Sequence, residues 1–346
     1  MALTMSKFFP ALVALLFVAC AGGQGNDDGQ GAGQDSLVNP LLALEQRILN
    51  APTDPNSFAE RARYFESIDS TALAINDWKR AMALDTTDAQ WPIALADLYY
   101  RKIRIEEAEP LLIKAARIDP SNTEALLKRS ELKLLLREYK EAMALANDAL
   151  RIDALNPKGY YLKGWIHMEA GDTALSISSY RTAVEQDPAF YEAYIALGLL
   201  HAHQRDPLAL QYYNTALDLR PNSVEAWYNK GMYCQENGMD SVALACYARI
   251  KEIAPQNSMA YYNTGYVYLE HQRRILDARG EFAKAIALLP DHAQAYYNRG
   301  LTFELDGKLD SALIDYQRAL RLAPSFTLAA EGLGRLQSKG LRVTMP

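Results

Sequence analysis

Few side chains in this sequence stand where chemistry could be done. His201 and His203 are two residues apart, so on a helix they point to different faces and cannot share a metal ion as a His-x-x-x-His pair would. His167, His271 and His292 have no acid at ligand spacing. Cys20, Cys234 and Cys246 include no Cys-x-x-Cys pair. Cys234 and Cys246 read as buried thiols, with a local disulfide as the alternative in an oxidising compartment. The glycines from Gly29 to Gly33 follow no strand, so they form no phosphate loop, and Gly332 and Gly334 fail the same test. No Ser, Cys or Lys has the setting of a nucleophile. The expectation is a chain with no catalytic residues, no metal, no cofactor and no small-molecule substrate.

The elements that hold these residues point to helices throughout. Of 346 residues 49% are hydrophobic, mostly Ala, Leu and Tyr, and β-branched runs are scarce. The net charge of -6, spread along the chain, argues against a nucleic-acid surface.

Residues 1–20 read as an address. Lys7 precedes an apolar run from Phe8 to Ala19, too short for a stable membrane span but suited to a signal segment. Residues 21–36 are Gly-, Gln- and Asp-rich and read as a flexible linker. Phe17-Val18-Ala19-Cys20 resembles the bacterial lipobox, with Phe17 where Leu is commonest. That resemblance implies lipidation of Cys20 and a membrane anchor through its acyl chains. Asn26, Asp27 and Asp28 are similar to the surface-export signal of Bacteroidetes-type lipoproteins, which implies the outer membrane or cell surface. A periplasmic or secreted protein is the alternative.

From Pro55 the chain repeats at close to 34 residues, over 55–88, 89–122, 123–156, 157–190, 191–223, 224–257, 258–292 and 293–326. Most units end in a phrase such as Ala115-Ala116-Arg117-Ile118-Asp119-Pro120, a helix stopped by proline. A small residue recurs at position 8 (Ala62, Ala96, Ser130, Gly164, Gly198, Gly231, Gly265, Gly300) and near position 20 (Ala74, Ala108, Ala142, Ser176, Ala209, Ala243, Ala278, Ala312). Both permit two helices to approach closely. Near position 24 stand Trp78, Leu112, Ala146, Tyr180, Tyr212 or Tyr213, Tyr247, Phe282 and Tyr316, which fill the gap that the small residues leave. The fifth unit is one residue short and the seventh one long; both changes are expected in the internal turn, marked elsewhere by Gly171, Gly238 and Gly307.

This pattern resembles the tetratricopeptide-repeat (TPR) family. The resemblance implies an all-α, right-handed superhelical solenoid of about eight helix-turn-helix repeats, with first helices lining the concave side. Capping helices are expected within 37–54 and 327–346, over Leu37 to Asn50 and Thr327 to Ser338. The family's geometry places Tyr161, Trp165, Tyr228, Asn229, Met232, Tyr262, Asn263, Tyr266, Tyr297 and Asn298 in the concave groove, where aromatics and amides would hold an extended partner segment. The Lys and Asn clamp that some TPR domains use for acidic chaperone tails is absent: position 5 holds Ala59, Ile93, Leu127, Tyr161, Ile195, Tyr228, Tyr262 and Tyr297. Uncharged or apolar segments are the expected ligands. The function expected is a protein-binding scaffold of an envelope complex. Its alternatives are a periplasmic chaperone or carrier with broad client specificity, and an enzyme subunit presenting substrate to a catalytic partner.

Overall fold

A computed structural model describes residues 40–342. The lipidation candidate Cys20, the signal segment and the linker lie outside the described residues. The chain divides into two units, Met1–Pro52 and Thr53–Pro346. In the first, the segment expected as a helix forms α1 over Pro40–Asn50.

The second unit is a run of antiparallel helix pairs, each packed on the next in sequence order. The pairs are α2 (Pro55–Ser67) with α3 (Thr71–Leu84), α4 (Gln90–Arg101) with α5 (Ile105–Ile118), α6 (Thr123–Leu135) with α7 (Tyr139–Ile152), and α8 (Pro157–Glu169) with α9 (Thr173–Gln186). They continue as α10 (Tyr191–His203) with α11 (Leu208–Leu219), α12 (Val224–Glu236) with α13 (Asp240–Ile253), α14 (Ser258–Tyr266) with α15 (Ile275–Leu288), and α16 (Ala293–Leu305) with α17 (Leu309–Leu322). Helix α18 (Thr327–Ser338) closes the array over the expected residues.

The small and large positions meet as the spacing predicts. A methyl added at Gly164 would lie 2.6 Å from Tyr180, at Gly198 2.4 Å from Tyr213, and at Gly265 2.8 Å from Phe282. The choice between Tyr212 and Tyr213 is thereby resolved: Tyr213 is buried against Gly198, and Tyr212 packs at a tilt against His201. Tyr316 lies between two glycines, with Gly300 on its own repeat and Gly332 on α18 both too close for a side chain. Cys234 and Cys246 are buried free thiols, and burial pushes the Cys246 thiol up to about 11.

Every internal turn carries one residue in the left-handed region, at Asp69, Ile103, Arg137, Gly171, Arg205, Gly238, Arg273 and Gly307. In all but the seventh repeat the next N–H reaches back five residues, as from Ser70 to Phe65 (2.8 Å) and Arg104 to Tyr99 (2.9 Å). This Schellman geometry satisfies carbonyls that the first helix leaves open. Only three of the eight residues are glycine, so the bend is enforced by the helix packing on either side. Ile103 is the most strained, being β-branched at φ 59 and 85% exposed. Ile103→Gly should raise stability by about 1 kcal/mol in thermal or urea unfolding, because it relieves the left-handed strain and gives up little burial.

The two length changes are absorbed differently. In the fifth repeat the missing residue comes from the first turn of α11, where the Ala209 N–H bonds Asp206 O at a spacing of three instead of the usual four. The seventh repeat departs from expectation: its extra residue is not in the turn but inside the first helix, where Val267–His271 forms a π-helical turn continuing α14. Gln272 N–H bonds Val267 O, and Arg274 N–H reaches back six residues to Tyr268 O. Widening a helical turn keeps Leu269 and the Phe282 contact with Gly265 in the core, which lengthening the turn would not require.

Candidate functional site

The ten expected groove residues lie on first helices α8, α12, α14 and α16, and none of them is fully exposed. Position 5 supplies Tyr161, Tyr228, Tyr262 and Tyr297. Each ring of repeats four, seven and eight packs on the large residue of its own repeat: Tyr161 on Tyr180 (5.4 Å between centroids), Tyr262 on Phe282 (5.8 Å) and Tyr297 on Tyr316 (5.7 Å). The same rings meet an aromatic at the boundary to the next helix, Phe190 (5.1 Å), His292 (4.7 Å) and Phe326 (5.3 Å). At the other boundaries except Ala89 that residue is a polar N-cap, such as Asn122, Ser223 or Asn257, whose side chain accepts from the helix N-terminus. At Phe190, His292 and Phe326 the cap is exchanged for ring packing. Sequence reading missed these three, although an aromatic standing where Asn or Ser otherwise recurs is a visible signal.

Tyr228 is different. Its boundary residue is the cap Asn257, and among the described residues no ring pairs with it. Asn229 beside it is half-buried, and among the described residues its side chain has no hydrogen-bond partner. The open part of the face is therefore in repeat six.

Cross-repeat contacts link the groove residues of repeats six, seven and eight. Met232 Sδ lies 3.4 Å from both Tyr247 Oη and Asn263 Nδ2. Asn298 Nδ2 donates to Tyr262 Oη at 3.1 Å. Asn263, Asn298 and Trp165 are buried, so they hold neighbouring repeats together as well as bordering the groove. Burial pushes the Tyr262 phenol up to about 12, with Tyr266 adding to the rise and the Asn298 bond opposing it. Tyr266 is half-buried near His271 (6.1 Å).

The corresponding face of repeats one to four is charged and self-paired. Arg101 bonds Glu66 and Asp97, Lys128 bonds Asp97, and Lys158 lies 3.8 Å from Glu131. Sequence reading missed this ladder because its members sit on different repeats. Two histidines also find acids that linear spacing conceals: His201 Nδ1 lies 2.8 Å from Asp206, and His271 Nδ1 2.6 Å from Asp240. Neither pair gains a third ligand, and among the described residues no three His, Cys, Asp or Glu gather as metal ligands. No described helix is long and apolar enough to cross a membrane.

At the far end Glu304, buried on α16, accepts from Tyr316 Oη (2.7 Å), Arg335 (2.9 Å) and Lys339 (2.8 Å). Burial alone would raise this carboxyl, but the bonds from Arg335, Lys339 and Tyr316 outweigh it and hold the group down to about 2. The cluster ties α18 to the last repeat.

Comparison with known proteins agrees with this architecture. Two family models, both described as tetratricopeptide repeat, match the chain, one over 293–326 and the other over 93–157, 161–208 and 207–258. Human Protein O-mannosyl-transferase TMTC3 is 31% identical over 164 residues, covering 46% of this chain and 18% of that protein. Human Tetratricopeptide repeat protein 6 is 24% identical over 231 residues, 65% of this chain and 44% of that protein. The chain thus spans less than half the length of these curated relatives. Among solved structures, the C-terminal part of a TPR repeat-containing protein from Cytophaga hutchinsonii superposes with a TM-score of 0.58 at 18% identity, covering 70% of this chain and 99% of that one. The APC/C hetero-tetramer Cut9-Hcn1 gives 0.53 at 14% identity, over 77% and 52% respectively. With its repeats matched over more than half its length and its helix pairs packed through the same small and large positions, the chain belongs to the tetratricopeptide-repeat family.

Proposed function

We propose that this chain is a non-catalytic scaffold of the bacterial cell envelope, anchored by lipid at Cys20, that binds an extended segment of a partner protein along repeats four to eight. TPR proteins mediate protein–protein contacts, and that general role is carried here by one observation. The first helices of repeats six to eight present a connected line of tyrosine rings, a thioether and amides, and among the described residues no second ring pairs with Tyr228 and no side-chain hydrogen bond engages Asn229. Unpaired amide groups can meet a peptide backbone irrespective of its sequence, and rigid rings give contact area at low entropic cost. The envelope location rests on the Lys7-to-Cys20 segment and its resemblance to a lipoprotein signal.

The variant Asn229→Ala/Tyr266→Ala tests this without touching the buried Asn263 and Asn298. In affinity capture from intact envelopes it is expected to lose the one or two proteins held by wild type, while its helical circular dichroism and melting stay within about 1 kcal/mol of wild type. Undiminished capture by the folded variant would refute the groove assignment. A broad set of weak clients, reduced together in the variant, would replace the scaffold with a chaperone acting through the same surface.

A further inference from the structure

The groove of repeats five to seven differs from that of the first four in charge balance. On the early face each acid meets a cation: Glu66 and Asp97 share Arg101, Asp97 takes Lys128, and Glu131 takes Lys158. After Lys158 the cations bordering this face are Arg220 and, at the far end, Arg335. Glu192 is met by Arg220 from the loop after α11, at 2.8 Å. Glu225 has only the Tyr191 hydroxyl, at 3.4 Å, and among the described residues no Lys or Arg lies within ion-pair distance of Glu225 or Glu270.

These carboxylates border the tyrosine line. Burial raises the Tyr161 phenol, and Glu192, Glu131 and Glu225 raise it further. Burial and then Glu270 raise Tyr266 in the same way, whereas at Tyr297 Arg335 opposes the rise that burial and, to a lesser extent, Glu270 produce. Burial lifts the Glu225 carboxyl above its ordinary value, with Glu192 adding, and the Tyr191 hydroxyl and the more distant Arg220 only partly oppose the rise. Aromatic faces attract cations in addition to the carboxylates.

We propose that the partner segment is basic: an extended stretch in which Lys or Arg side chains lie against Glu225 and Glu270, while its backbone and uncharged side chains lie along Tyr228, Asn229 and Tyr266. This deepens the proposed function and rests on it, and it replaces the uncharged segment expected from sequence with a cationic one. The reason is physical. A neutral segment would cover Glu225 and Glu270 without supplying a counter-charge, which desolvates them at a cost, whereas a guanidinium or ammonium offsets that cost.

The test uses the chain with three unstructured peptides of one length, alternating Tyr with Lys, Gln or Glu, in fluorescence-anisotropy titrations at low and high salt. The Lys peptide is expected to bind about tenfold more tightly than the Gln peptide at low salt, with the gap shrinking at high salt. Glu225→Gln/Glu270→Gln should abolish that gap, the Lys peptide losing affinity and the Gln peptide gaining some as the desolvation cost of the two carboxylates disappears. Equal binding of the Lys and Gln peptides to wild type, or a preference that persists in the double Gln variant, overturns the basic-partner proposal while the groove stands. Affinities unmoved by Asn229→Ala/Tyr266→Ala, or no binding of any peptide, overturn the groove reading and this proposal with it.

Discussion

Replacing Tyr316 with alanine is expected to cost about 3–5 kcal/mol and to release the C-terminal end of the array. The ring is fully buried between Gly300 and Gly332, where a methyl would lie 2.9 and 2.7 Å from it. Truncation therefore opens a cavity lined by two helix backbones that have no side chains with which to fill it. The hydroxyl also donates to Glu304 at 2.7 Å, so one partner of a buried carboxylate goes as well. Stability in repeat arrays is a sum of unit and interface contributions, so the loss should concentrate in repeat eight and α18. Hydrogen exchange resolved by segment would show α16 to α18 deprotected and repeats one to six near wild type. Uniform deprotection would mean that the array unfolds as one body.

The second large effect concerns acid. Glu304 has an ordinary carboxyl value of 4.5 and is held near 2 in the folded chain. Because the folded value is the lower one, its contribution is complete above about pH 4.5 and is lost as pH falls through 2. The difference corresponds to about 3 kcal/mol, an order-of-magnitude figure for a carboxylate only 7% exposed. Protonation would weaken the bonds from Arg335 and Lys339 that hold α18, so this helix should be an early element to open between pH 4.5 and 2. Glu304→Gln should destabilise α18 by about 2–3 kcal/mol at pH 7 and flatten its pH dependence across that window. Exchange rates of the α18 amides against pH would measure both. A wild-type profile parallel to that of Glu304→Gln would remove Glu304 from the account.

How much of this was legible in the sequence depends on what each feature requires. The pairing of Gly164 with Tyr180 or Gly265 with Phe282 needs particular side-chain volumes at fixed spacing, so it is written openly. The internal turns are not. A left-handed residue is signalled by glycine at Gly171, Gly238 and Gly307, but Asp69, Ile103, Arg137, Arg205 and Arg273 adopt the same conformation because packed helices on both sides demand it. The π-turn at Val267–His271 was hidden because an added residue can be absorbed wherever the core contacts survive. In the groove, sequence supplied the helices and the positions. It did not reveal that Asn263 and Asn298 spend a side-chain N–H each on neighbouring repeats, nor that among the described residues the Tyr228 hydroxyl and the Asn229 amide have no side-chain partner. Those facts arise from contacts about one repeat apart. The charge ladder from Glu66 to Lys158 was concealed for the same reason.

The most direct measurement is site-specific photocrosslinking in intact cells, with a photoreactive residue at Asn229 on the groove face or at Leu276, which is 68% exposed on the second helix of repeat seven. The account predicts a discrete crosslinked partner from position 229, mapping to a single extended segment of that partner, and none of that product from position 276. A partner captured equally from position 276, or only from there, would contradict it.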